Sequence, residues 1–160
     1  MRIVMDAKIT PNFTKVMQEF DPAFLESVID PHQSAASLGV EIANVLENKQ
    51  WVGFLADRRF SGERTLRGNF LGGEVCLPAG PFVVAATFKI PVVAIFPVLV
   101  EGKYHVYCEV LTNKAVSSRK TRDADLQALA QLYLDTLERH VRNAPDNWFN
   151  FYDFWNEDLE

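Results

Sequence analysis

One apolar stretch, residues 81–100 (PFVVAATFKIPVVAIFPVLV), constrains this 160-residue chain more than any other feature. It has the length of a bilayer span. Lys89 falls near its centre, however, and Pro91 and Pro97 each remove a backbone donor and clash with the preceding helical turn. A helix that stops and feeds a buried strand uses the same residues without those costs. The chain is therefore expected to be soluble as given. Its first residues, Met1-Arg2-Ile3-Val4-Met5-Asp6, meet a charge too early for the apolar region of a secretory signal.

Outside that stretch, apolar periodicity switches repeatedly between strand and helix. Residues 2–7 read as a strand. Residues 11–20 read as a helix with Phe13, Val16, Met17 and Phe20 on one face. A short strand at 27–30 closes at Pro31. A helix over 34–48 follows, with Ala35, Leu38, Ile42, Val45 and Leu46 in one buried stripe. The continuous apolar run 51–56 has the pattern of a strand buried on both faces. Residues 57–68 (DRRFSGERTLRG) form a polar loop, and 69–73 return to strand-like sequence. A helix over 82–88 leads to a second buried strand at 91–100. After the turn Glu101-Gly102-Lys103, residues 104–111 alternate as an edge or hairpin strand. The last helix carries Leu126, Leu129, Ala130, Tyr133, Leu137 and Val141 at helical spacing. Asp123 and Asp125 stand at its positive end; Arg139, His140 and Arg142 stand at its negative end. Pro145 ends it, and the aromatic tail within 143–160 is expected to pack back on the domain. Together these elements predict a layered α/β fold, a mostly parallel or mixed central sheet flanked by helices, in a single domain spanning 1–160.

Forty-eight per cent of residues are hydrophobic, enough for a core, and the formal net charge of −5 argues against nucleic acid as a partner. Cys76 and Cys108 belong to no Cys-x-x-Cys pair and read as buried thiols in a reducing, cytoplasmic compartment; no metal site is expected. The Gly-x-Ser-x-Gly elbow, the P-loop, the Gly-x-Gly-x-x-Gly turn and the His-Glu-x-x-His motif are all missing. His32 in a turn, His105 in mid-strand and His140 at a helix end each have a structural explanation.

Two places hold candidate binding chemistry. Asp57, Arg58, Arg59, Glu63, Arg64 and Arg67 crowd the loop beyond the strand 51–56, where ligands of open α/β sheets bind. The planar guanidinium fork suits phosphate or carboxylate, so this loop is a candidate anion clamp; a solvated surface loop has the same composition. Asp57 either holds one arginine or closes the strand. The second place is Pro78-Ala79-Gly80-Pro81, a sharp helix start whose outward backbone amides suit an anion or oxyanion, and which also reads as a plain helix start.

In this order the residues resemble the lysophospholipid acyltransferase superfamily, in its lipid A biosynthesis (lauroyl/myristoyl-type) branch. The likeness covers roughly 40–155, the carboxyl-terminal portion of such an enzyme. It rests on Asp57 at the end of a strand, the arginine loop, Phe70-Leu71-Gly72-Gly73, Pro78 to Pro81, and Pro91-Val92-Val93. Leu137-Glu138-Arg139 followed by Pro145, Trp148 and an aromatic tail is similar to that branch's closing signature. The resemblance implies a partial acyltransferase fold. It also implies transfer of a fatty acyl group from acyl carrier protein or a coenzyme A thioester to a lipid or glycolipid hydroxyl, without a cofactor or metal. Asp57 and Arg58 match the family's Asp-led motif and inherit a supporting or phosphate-binding role; Arg59, Arg64, Arg67 and Gly80 join them as substrate-binding candidates.

The family's base is the histidine of a His-x-x-x-x-Asp/Glu motif. Five residues beyond His32, His105 and His140 stand Ser37, Val110 and Pro145, none of them acidic. The motif is therefore expected upstream, with a membrane-associating segment that would place the full-length form at the inner membrane, and the isolated chain is expected to be inactive. Arginine after Asp57, where the branch usually has glutamine, points to a different acceptor. The competing reading is a non-catalytic module that binds an acyl carrier, a lipid phosphate or a protein partner through the arginine loop. A piece of this kind is also expected to form homo-oligomers through an uncovered sheet face or edge.

Overall fold

The computed structural model describes residues 1–6, 11–59 and 62–155. The chain falls into two compact units, Met1–Leu55 and Ala56–Glu160. It is an α/β protein, and the parallel sheet is confined to the first unit.

In that unit β1 (Arg2–Val4) is followed by α1 (Pro11–Phe20), β2 (Val28–Ile29), α2 (Ala35–Glu47) and β3 (Val52–Phe54). The strands run parallel in the order β2-β1-β3, with Ile3 opposite both Val28 and Gly53. Helix α2 begins where expected, because the Ser34 side chain accepts from the Ser37 amide and satisfies one of the first turn's unpaired donors. Ile42 and Val45 of its apolar stripe are buried, as are Val4 and Ile29 of the strands, whereas Ala35 is exposed. One expectation needs correction. Strand β3 is not buried on both faces: all three of its residues are half-buried, and the flanking Trp51 and Leu55 are 64% and 56% exposed. Helix α1 forms as read, and Phe13, Val16 and Phe20 on its one face are exposed, with Phe13 meeting Phe24 edge-on. Residue 7, the proposed end of the first strand, lies outside the described residues.

The second unit contains β4 (Thr65–Phe70), β5 (Gly73–Pro78), α3 (Gly80–Phe88), β6 (Val92–Val100), β7 (Lys103–Thr112) and α4 (Arg122–Asn143). Its strands form two antiparallel hairpins, β4-β5 and β6-β7. The reason is local. Leu71 and Gly72 (φ 51° and 86°), and again Glu101 and Gly102 (φ 48° and 78°), close two-residue turns with both φ positive, the geometry that folds a strand straight back on itself. The polar loop also ends earlier than its composition implies. From Thr65 onward the chain is strand, with Leu66, Gly68 and Phe70 turned inward and Arg67 outward.

Helix α4 lies across β4 so closely that a Cβ on Gly68 would collide with the Leu134 side chain. Leu126, Ala130, Leu134, Leu137 and Val141 meet Leu66, Phe70, Leu77, Phe82 and Phe96 in one core. Within the long apolar stretch, Lys89 adopts a left-handed conformation (φ 54°) that caps α3, and β6 follows. Strand β6 is buried on one face only, through Ala94, Phe96 and Val98. Among the described residues no helix is long and apolar enough to cross a membrane. The tail returns onto the core: Phe154 is buried, and Trp148, Phe154 and Trp155 surround Phe70 at ring distances of 5.2, 5.5 and 6.2 Å. Cys76 is buried as expected, but Cys108 is exposed, because it sits on the outer face of β7.

Candidate functional site

The turn Ala56-Asp57 opens the second unit, Arg58 and Arg59 follow it, and an aromatic residue from the far end of the chain holds it. Tyr152 donates its hydroxyl to the Asp57 carbonyl at 2.7 Å. The Arg58 guanidinium lies over the same ring, 5.1 Å from its centre, a cation–π arrangement that favours a guanidinium over an ammonium. The Asp57 carboxylate stands 3.9 Å from Arg58 Nε, too long for a hydrogen bond but close enough to bias the guanidinium's position. Partial burial and the Asp57 charge push the Tyr152 phenol above its usual range, while Arg58 and Arg59 pull it the other way. Tyr133 of α4 is raised further, first by burial and then by Asp57, and it packs between Phe82 and Phe96. Neither tyrosine ionises at neutral pH, so Tyr152 acts here as a hydrogen-bond donor.

The remaining candidate arginines have other partners. Arg64 donates to Asp123 in the first turn of α4 at 2.8 Å. Arg67, on β4, reaches Glu74 across the hairpin at 2.7 Å. Gly80 is exposed at the start of α3, next to Ala79, whose amide donates to the Arg64 carbonyl at 2.8 Å. The structure thus brings Asp57 and Arg58 together at Tyr152, with Arg59 next in the chain, and puts the Arg64 backbone beside the Gly80 helix start. It gives the Arg64 and Arg67 guanidinia to two separate carboxylates. Residues 60 and 61 of the loop lie outside the described residues.

Sequence reasoning missed four arrangements. Tyr152 carried only the general signal of an aromatic tail; nothing in its spacing pairs it with position 57. His140, buried at the end of α4, faces the Glu109 carboxylate at 3.2 Å and stacks on Phe96 at 4.4 Å. Arg139 and His140 hold Glu109 below the usual carboxylate range. Glu138 is held low too, first by the Leu71 amide that donates to it at 2.7 Å and then by Arg142. Finally, two carboxamides clip the outer edges of strands. Gln131 accepts from the Asn69 amide and donates to its carbonyl, and Asn147 does the same for Leu99. Among the described residues no three His, Cys, Asp or Glu side chains form a group able to hold a metal.

No curated protein matches the chain. A family model described as bacterial lipid A biosynthesis acyltransferase matches residues 26–157, which takes in both hairpins, α4 and the Asp57–Tyr152 pair. The chain belongs to the bacterial lipid A biosynthesis acyltransferase family.

Proposed function

We propose that this chain supplies the anion-binding part of an acyl transfer from an acyl carrier protein or coenzyme A thioester to a lipid or glycolipid hydroxyl. In that reaction the acceptor oxygen bonds to the thioester carbonyl carbon and the carbon–sulfur bond breaks. The acceptor's proton passes through a base to the departing thiolate. Coenzyme A, the prosthetic arm of acyl carrier protein and many lipid headgroups all carry phosphate. Arg58 and Arg59 are the groups we assign to it. The observation that carries this reading is the bracing of Arg58: a guanidinium laid on the Tyr152 ring, above a turn fixed by the same tyrosine's hydroxyl, loses less freedom on binding than a free one.

The base is a different matter. No histidine here begins a His-x-x-x-x-Asp/Glu motif, and His140 is buried against Glu109. We assign the base to chain outside these 160 residues. That same observation favours a second reading, in which the scaffold binds a phosphate-bearing lipid or acyl carrier without catalysing transfer. Assaying radiolabelled acyl-CoA consumption with a lipid acceptor tests both. The first reading expects no turnover by this chain alone and turnover once an upstream segment bearing the motif is joined to it. Persistent inactivity of the joined protein, with tight binding of the carrier by the 160 residues alone, would establish the second.

A further inference from the structure

The β6-β7 hairpin has two outer edges, and they are treated differently. At Leu99 the β6 edge is clipped by Asn147, whose side chain bonds both the amide and the carbonyl. The main-chain groups of Leu99 therefore point away from β7. In an antiparallel pair such outward residues recur every second position and face one another across the strands. Leu99 is opposite Tyr104, Pro97 opposite Val106, Ile95 opposite Cys108 and Val93 opposite Val110. Pro97 falls on an outward position of β6, where its missing N–H costs no ladder bond. With a clip and a proline, that edge is closed to another strand.

Strand β7 has neither device. Tyr104, Val106, Cys108 and Val110 direct their amides and carbonyls outward, and among the described residues β7 pairs with β6 alone. Their side chains form an exposed apolar row: Tyr104 is 73% exposed, Val106 61% and Val110 60%. Long, apolar, unpaired edges recruit strands.

We infer that β7 is a dimerisation edge and that its occupant is the β7 of a second copy, running antiparallel about a two-fold axis through Tyr107. That register pairs Tyr104 with Val110 and Val106 with Cys108 of the second copy, each exchanging both main-chain bonds. It also sets His105 opposite Glu109, whose carboxylate can accept from the imidazole N–H, and Lys103 opposite Leu111, so no like charges meet. Shifting the axis to Cys108 overlaps the strands equally well but loses the His105–Glu109 match, which selects the first register.

Sedimentation velocity on the full chain tests this, with three variants confirmed as folded by circular dichroism. Val106→Pro deletes one outward amide without touching the β6 ladder. Val106→Lys puts a charge on the edge. Ile95→Lys puts the same charge on the same apolar face, but on β6. The expected result is a species of twice the chain mass for wild type and Ile95→Lys, and the monomer mass for both Val106 variants. A monomeric wild type overturns the inference, as does a dimer that survives Val106→Pro. Loss of the dimer in Ile95→Lys together with its survival in Val106→Pro would assign the contact to the sheet face and not the edge. A monomeric wild type that sediments with phosphatidylethanolamine/phosphatidylglycerol vesicles would give the edge to lipid and overturn the inference equally.

Discussion

The phenol of Tyr152 links positions 57 and 58 to a tail almost a hundred residues away: its hydroxyl fixes a carbonyl and its ring carries a guanidinium. Tyr152→Phe keeps the ring and loses the hydroxyl. It should cost about 1 kcal/mol of stability by urea denaturation, the typical worth of one such bond. Phosphate-ligand affinity should fall several-fold while Arg58 remains in place. Two other carboxylates bear on acid stability. Glu109 and Glu138 are both held below their ordinary value of 4.5 in the folded chain. A depressed folded value means that the stabilisation is present above the unfolded value and is lost as pH falls through the folded one. Stability should therefore decline below about pH 4.5, and the double variant Glu109→Gln with Glu138→Gln should show a flatter acid limb in urea midpoints against pH. An unchanged slope would show that other groups govern acid unfolding. The candidate site was half-legible at this scale. Arginine density marked Arg58 and Arg59, but it equally marked Arg64 and Arg67. Composition does not reveal that Asp123 and Glu74 lie within reach of those two, because both pairings are made by tertiary and cross-strand geometry.

Elements were more legible where a side chain writes its own boundary. Pro145 ends α4 and Glu101-Gly102 turns β6 into β7, both read from local chemistry, and the helix start at 34 gains its cap from Ser34 in the structure. Pairing partners were not. The continuous apolar run at 51–56 suggested a doubly buried strand, yet its ends are exposed; hydrophobicity alone does not say which neighbours arrive. Prolines and a lysine mark the break in the 81–100 stretch, and the structure adds the mechanism. Lys89 takes the left-handed cap position with its amide donating to Ala85. A non-glycine residue there carries a steric cost of about 1 kcal/mol. Lys89→Gly should accordingly raise stability by about that amount in thermal melts. A lower melting temperature would show that the lysine side chain contributes more than its backbone conformation costs.

At the scale of the molecule, each unit keeps its own buried residues: Ile29, Ile42 and Val45 in the first, and the cluster around Phe70, Leu77 and Leu134 in the second. The candidate site belongs wholly to the second unit, as does most of the matched family region. That economy makes the functional proposal easy to confront, since one turn and one aromatic tail carry it. Isothermal titration of the chain with coenzyme A, wild type against Arg58→Ala, is the most direct test. Losing a charge-assisted contact worth roughly 1.5–3 kcal/mol predicts an affinity at least about tenfold weaker for the variant. Equal affinity for the two proteins, or no binding by either and none to a short-chain phosphatidic acid, would contradict the assignment of the Asp57–Arg58 turn to phosphate.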